Sequence, residues 1–246
     1  MVEQVSGAVS GDAAHPMRSY ATLYPEVVRA GSLRDALQEA VDRARYGFAV
    51  ELTSAPGWRH VAARAAAGGR WAKVLMAEEK RWFLVDCWAD GVQMATGGTD
   101  DLSEAAGALD SWLRGPRVRD LVERWPFLRT WEPAEAHERG EAVPVRWRQL
   151  RETAVRSGGT ALGELVEAAF AEPRLRVLSP GRAMYWLTFS RRAAPPICRD
   201  LPAVRPLRDG RYQVRFPDRT LREADGVAEA VAMVLGGLPD DAVPLL

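Results

Sequence analysis

Residues 81–116 read Arg-Trp-Phe-Leu-Val-Asp-Cys-Trp-Ala-Asp-Gly-Val-Gln-Met-Ala-Thr-Gly-Gly-Thr-Asp-Asp-Leu-Ser-Glu-Ala-Ala-Gly-Ala-Leu-Asp-Ser-Trp-Leu-Arg-Gly-Pro. The aromatic and branched run from Arg81 to Trp88 has the composition of a strand buried on both faces. Asp90-Gly91 follows, and an Asp-Gly pair between two apolar runs predicts a type I′ hairpin, whose central residues both need positive φ. Val92 to Thr96 is the return strand, and Gly97-Gly98 breaks it. Asp101 with Glu104 resembles a capping box, with Thr99 and Asp100 as alternative caps. Leu102, Ala105, Ala106, Leu109, Trp112 and Leu113 then share one helical face, and Gly115-Pro116 ends the helix.

One residue in the first strand stands out. Side chains alternate, so Asp86 shares a face with Trp82, Leu84 and Trp88. A carboxylate there needs a hydrogen-bonding or charged partner, or it works as a functional group. Both readings stay open at this point.

On the N-terminal side, residues 1–18 are small and polar and read as a disordered tail. A short helix is expected over Tyr20–Ala30. Ser32 caps a second helix with Leu33, Ala36, Leu37, Ala40, Val41 and Ala44 on one face. Strands are expected over Phe48–Thr53, Trp58–Arg64 and Trp71–Ala77, with turns at residues 55–57 and 68–69. On the C-terminal side, residues 117–124 continue helically. Residues 132–144, charged and proline-containing, read as a connector between a unit at 19–131 and a second at 145–246.

The second half rhymes with the first: a helix at Leu162–Phe170, strands at Arg174–Leu178, Tyr185–Phe189, Ala203–Leu207 and Tyr212–Phe216, and a final helix opened by Asp225. Ser179-Pro180-Gly181 reads as a turn, as does Asp209-Gly210, which answers Asp90-Gly91. The expected fold is α+β, two pseudo-repeated units of helix, antiparallel meander and helix.

The 246 residues carry 33 basic and 33 acidic side chains, so no net charge draws the chain toward nucleic acid or an anionic membrane. Lys73 and Lys80 are the only lysines, which speaks against Schiff-base chemistry. Cys87 and Cys198 match no metal or redox spacing. There is no phosphate-binding loop, dinucleotide fingerprint or Gly-x-Ser-x-Gly elbow. With no membrane-spanning run and no secretory leader, the expected compartment is the cytoplasm. No metal and no classical cofactor is expected. Of three histidines, His60 is the one placed on a predicted strand, where Glu51 or Asp86 would orient it as a general base. Arginines flank Trp125 and Trp147, and Arg205, Arg208, Arg211, Arg215, Arg219 and Arg222 form a more one-sided strip. Arg–Trp clusters suit phosphate and base stacking, although acids interleave with the first two.

The pieces Phe-Leu-Val-Asp-Cys-Trp, Asp-Gly-Val-Gln and Gly-Gly-Thr-Asp-Asp-Leu within Arg81–Trp112 resemble an uncharacterised actinobacterial family labelled natural product biosynthesis proteins. So do Arg124-Trp125-Pro126-Phe127-Leu128 and Glu164-Leu165-Val166-Glu167-Ala168-Ala169. The resemblance covers roughly residues 32–240 and implies a pathway, with no catalytic residue to carry over. The expectation is therefore a protein that binds a small molecule or precursor peptide, as a tailoring enzyme or a chaperone-like accessory. A protein–protein or immunity-type module and an RNA or nucleotide binder are the alternatives. Asp86 and His60 are the candidate catalytic residues, and Trp58, Trp88 and Arg119 the candidate ligand contacts.

Overall fold

Ser32 does what its position predicts. Its side chain accepts the Asp35 N–H and starts a helix, α2 (Leu33–Ala44), whose Leu33, Ala36, Leu37, Ala40 and Val41 are buried. The computed structural model describes residues 17–53, 59–156 and 160–245. The expected turn at 55–57, Trp58 and most of the expected tail lie outside them. At the tail's end Met17 is buried and Arg18–Tyr20 form a 3-10 turn. Helix α1 (Pro25–Ala30) begins later than expected, because Pro25 suits a first helical turn.

The first sheet is a meander in chain order: β1 (Glu51–Leu52), β2 (Ala62–Ala67), β3 (Arg70–Met76), β4 (Phe83–Ala89), β5 (Val92–Thr99) and β6 (Leu128–Arg129). Registers are antiparallel, with Glu51 opposite Arg64 and Arg64 opposite Lys73. Gly68 and Gly69 both take positive φ in the β2–β3 turn, as do Asp90 and Gly91 in the β4–β5 turn. Helix α3 (Leu102–Leu113) packs against α2, β2 and β3, and its buried Trp112 donates its indole N–H to the Trp71 carbonyl at 3.2 Å.

The deciding stretch needs three corrections. Strand β4 is buried on one face only: Phe83, Val85 and Cys87 point inward, while Leu84 is 40% exposed and Asp86 and Trp88 are half-buried. Gly97-Gly98 does not break β5. The strand runs through to Thr99, and Gly98 is required because Trp82 lies against it: a Cβ there would sit 2.1 Å from the indole Nε1. Asp101 caps α3 by accepting the Ser103 N–H, but Glu104 does not close a box. It accepts instead from the Thr99 hydroxyl at 2.6 Å.

The charged connector is helical. Residues 132–144 form α5 (Glu132–Glu138) and the start of α6 (Ala142–Arg156). Pro133 falls in the first turn, where no N–H is needed, and Glu132 and Glu135 favour the positive end of the helix. Glu138 then accepts the first N–H of α4 (Val118–Arg124). The chain's contacts separate two compact units, residues 1–87 with 97–115 and residues 88–96 with 116–246.

The second sheet has the order β11-β10-β9-β8-β7: β7 (Ser179–Ala183), β8 (Trp186–Ser190), β9 (Ala203–Pro206), β10 (Tyr212–Arg215) and β11 (Leu221–Ala224). Helices α7 (Thr160–Ala171) and α9 (Val227–Gly236) bury Leu165, Val166, Ala169, Ala230, Val231 and Val234 with Leu187, Val204, Tyr212 and Val214. Trp147 of α6 joins this core and donates its indole N–H to the Leu178 carbonyl at 3.1 Å. Three expectations fail here. Residues 174–178 are not a strand: Pro173 opens a short helix, α8 (Pro173–Arg176), that buries Leu175. Ser179-Pro180-Gly181 is not a turn but the start of edge strand β7, which tolerates a proline. Gly226, not Asp225, precedes α9 as its cap.

Candidate functional site

The first unit carries an open groove of about 690 Å³ lined by the N-terminal turn of α2, edge strand β1 and residues 59–60. Its floor is built from backbone ties. The Leu33 N–H donates to the His60 carbonyl at 2.8 Å, so the turn at 59–61 is held to the helix N-terminus. The Val50 N–H donates to Gln38 Oε1 at 2.8 Å and the Val50 carbonyl accepts from Arg34 Nε at 3.1 Å. Helix α2 thereby covers the residue before β1, leaving less of that sheet edge open to strand addition.

Ser32 and Asp35 bond each other reciprocally. The hydroxyl donates to Asp35 Oδ2 at 2.5 Å while accepting the Asp35 N–H at 3.1 Å. That hydrogen bond first, and the Arg34 guanidinium at 2.6 Å second, hold the Asp35 carboxyl below the usual carboxylate range. Asp35 is thus a fixed anion, and Arg34 is oriented by Asp35 and Val50. Arg59 and Glu51 are exposed on the walls. His60 is half-buried, and its Nδ1 is shut off from solvent with no hydrogen-bond partner among the described residues.

His60 sits in a turn rather than on a strand, since β2 begins only at Ala62. Glu51 does line the same groove, as the sequence reading allowed. Asp86 does not join it. That carboxylate lies on β4, three strands in from β1, with Lys73 Nζ at 3.6 Å and 18% of its side chain exposed. Trp88 follows it on the same face, half-buried. In the second unit Arg119 is bound to Glu135 at 2.6 Å with 67% of its side chain exposed. Trp58 lies outside the described residues. Arg34, Asp35 and Arg59 were missed; the Ser32-x-x-Asp35 spacing was their one visible signal, and it reads equally as a plain helix cap.

The arginines around Trp147 are largely answered by acids: Arg148 by Glu132 and Glu152, and Arg151 by both oxygens of Glu167 at 2.7 Å. Among the described residues no group of three or more His, Cys, Asp and Glu is placed to hold a metal ion, and no helix is long and apolar enough to cross a membrane. Burial pushes the Cys87 thiol far up, which suits a buried apolar role. The groove thus offers two cations, two anions and an imidazole with an unmet ring nitrogen. It can orient a polar ligand by charge and hydrogen bonds.

Residues 141–246, from just before α6 through β7–β11 and α9, match a family of unknown function (DUF6193). No curated protein and no solved structure matches the chain.

Proposed function

We propose that this protein binds a small, polar, carboxylate-bearing molecule, or the end of a precursor peptide, in the groove at the start of α2. It would do so as an accessory or tailoring component of a natural-product pathway, the setting that the motif resemblance suggests, with the cytoplasm as the proposed compartment. The observation that carries the reading is the groove wall: the His60 ring lines it together with Arg34, Asp35 and Arg59, so an occupant held by the arginines lies against the imidazole. Arg34, already aimed by Asp35 and Val50, and Arg59 supply the positive charge for a carboxylate.

The test is native mass spectrometry of gently purified protein, followed by a ligand screen with N-acyl amino acids and dipeptides. The expected outcome is a sub-kilodalton adduct or a saturable hit that His60→Phe and Arg34→Gln each weaken about tenfold, the scale of one lost charge-assisted hydrogen bond. Hits unaffected by either substitution would overturn the assignment, as would an absence of any hit.

A further inference from the structure

We propose that the outward face of the second sheet, centred on Trp186, is a docking surface for an acidic peptide segment of a partner protein. The argument starts from register. Leu187 faces Val204, so the next position sets Trp186 beside Arg205, and Arg205 faces Gln213. Arg205 and Arg215 both lie over the Trp186 ring, at 4.8 and 4.6 Å from its centroid. Arg205 is held further by Gln213, whose Oε1 accepts from Nε and Nη2 at 3.1 and 2.8 Å. Neither arginine has a carboxylate partner among the described residues. The acid further along the row, Glu223, is taken by Arg211, which also holds Asp209. Two guanidiniums are therefore oriented by stacking and left without a counter-charge, the state in which they grip carboxylates at least entropic cost.

A second observation adjoins the first. The β7–β8 loop that leads into Trp186 presents Met184 at 85% exposure and Tyr185 at 69%. Met184 has φ +56°, a conformation that hairpin loops normally give to glycine, and Arg182 Nε donates to its carbonyl at 3.0 Å. A large apolar side chain kept outward on strained backbone points to use. Leu221, 53% exposed, lies on the same face, since its register partner is Arg215. Met, Tyr, Trp and Arg are the residues enriched where proteins meet. A peptide with carboxylates beside aromatic or aliphatic side chains matches both features. A phosphate backbone or an anionic bilayer matches less well, because Glu223 lies further along the same row, with Asp209 beside it on Arg211, and a continuous polyanion would run into both.

The surface belongs to the second unit and is independent of the groove reading. The experiment is fluorescence anisotropy with a labelled synthetic peptide alternating Glu with Leu and Phe, an isosteric Gln-for-Glu peptide, a single-stranded RNA and phosphatidylserine vesicles. The expected result is saturable binding of the Glu peptide, at least tenfold weaker binding of the Gln peptide, and about a tenfold loss in Arg205→Gln/Arg215→Gln. Met184→Gly, which relieves the backbone, weakens binding a few-fold. Equal binding of both peptides, no loss in either surface variant, no binding of the Glu peptide, or binding confined to RNA or vesicles overturns the proposal.

Discussion

The outward faces of the two sheets handle charge differently. On the first, the register sets Glu51, Arg64 and Lys73 in one row, and Lys73 reaches Asp86 at 3.6 Å, while Arg64 stacks on Trp71 at 4.9 Å. Two bases stand between two acids, and the row answers itself. On the second, the row runs Trp186, Arg205, Gln213 and Glu223, with a neutral amide where the first sheet has an ion. The cations there are steadied by an indole and an amide and remain available. Similar residues thus give a closed surface in one place and an open one in the other, and the deciding feature is which side chain faces each cation across the strands.

Six substitutions, in four comparisons, sharpen or break this contrast. The cores should respond alike. Trp112→Ala and Trp147→Ala each remove a fully buried indole together with a hydrogen bond to a backbone carbonyl, and each should cost about 3–5 kcal/mol in urea titrations. A much smaller loss at either position would mean that the two indoles are not equivalent props.

The glycines should respond differently. Gly98→Ala forces a rigid indole aside, at about 1–3 kcal/mol, whereas Gly181→Ala meets only the Thr188 hydroxyl at 2.9 Å, which can turn away, at under about 1 kcal/mol. Equal costs would show that Trp82 is free to move.

Tyr24→Phe probes the first unit alone. The Tyr24 hydroxyl lies 2.7, 2.8 and 3.1 Å from the carbonyl oxygens of Ala77, Lys80 and Trp82, and it accepts the Trp82 N–H at 2.9 Å. Losing it should cost about 1–2 kcal/mol. Burial raises the hydroxyl's pKa, opposed by backbone hydrogen bonding at Trp82 and Ala77 and by Arg81. The folded-state value therefore lies above that of an unfolded tyrosine, about 10, so the contribution is complete below that pH and is lost as pH rises past it. The parent's advantage over Tyr24→Phe should shrink in denaturation curves taken at increasingly alkaline pH; a growing advantage would reverse the sign.

Asp86→Asn should have the smallest effect, within about 0.5 kcal/mol, because a pair near the surface contributes little. A loss of several kcal/mol would mean that this carboxylate holds more than Lys73.

Where the chain's local chemistry is self-sufficient, the sequence was readable. Asp90-Gly91 has both residues at positive φ, and Ser32 and Asp101 cap the helices they were expected to cap. The unread parts depend on distant partners. Gly98 looks like a breaker until Trp82 is laid across it. The short helices α5 and α8 lack a long apolar period and are held by proline-initiated turns and tertiary contacts. At the site, His60 was singled out but assigned to a strand. Arg34 and Asp35 were concealed because a helix cap and a ligand-orienting pair share one spelling.

The most direct test of the central claim is histidine-selective imidazole NMR during titration with N-acyl amino acids. The account predicts that the His60 ring resonances shift saturably while those of His15 and His137 stay in place. A ligand that binds without moving the His60 signals would contradict it.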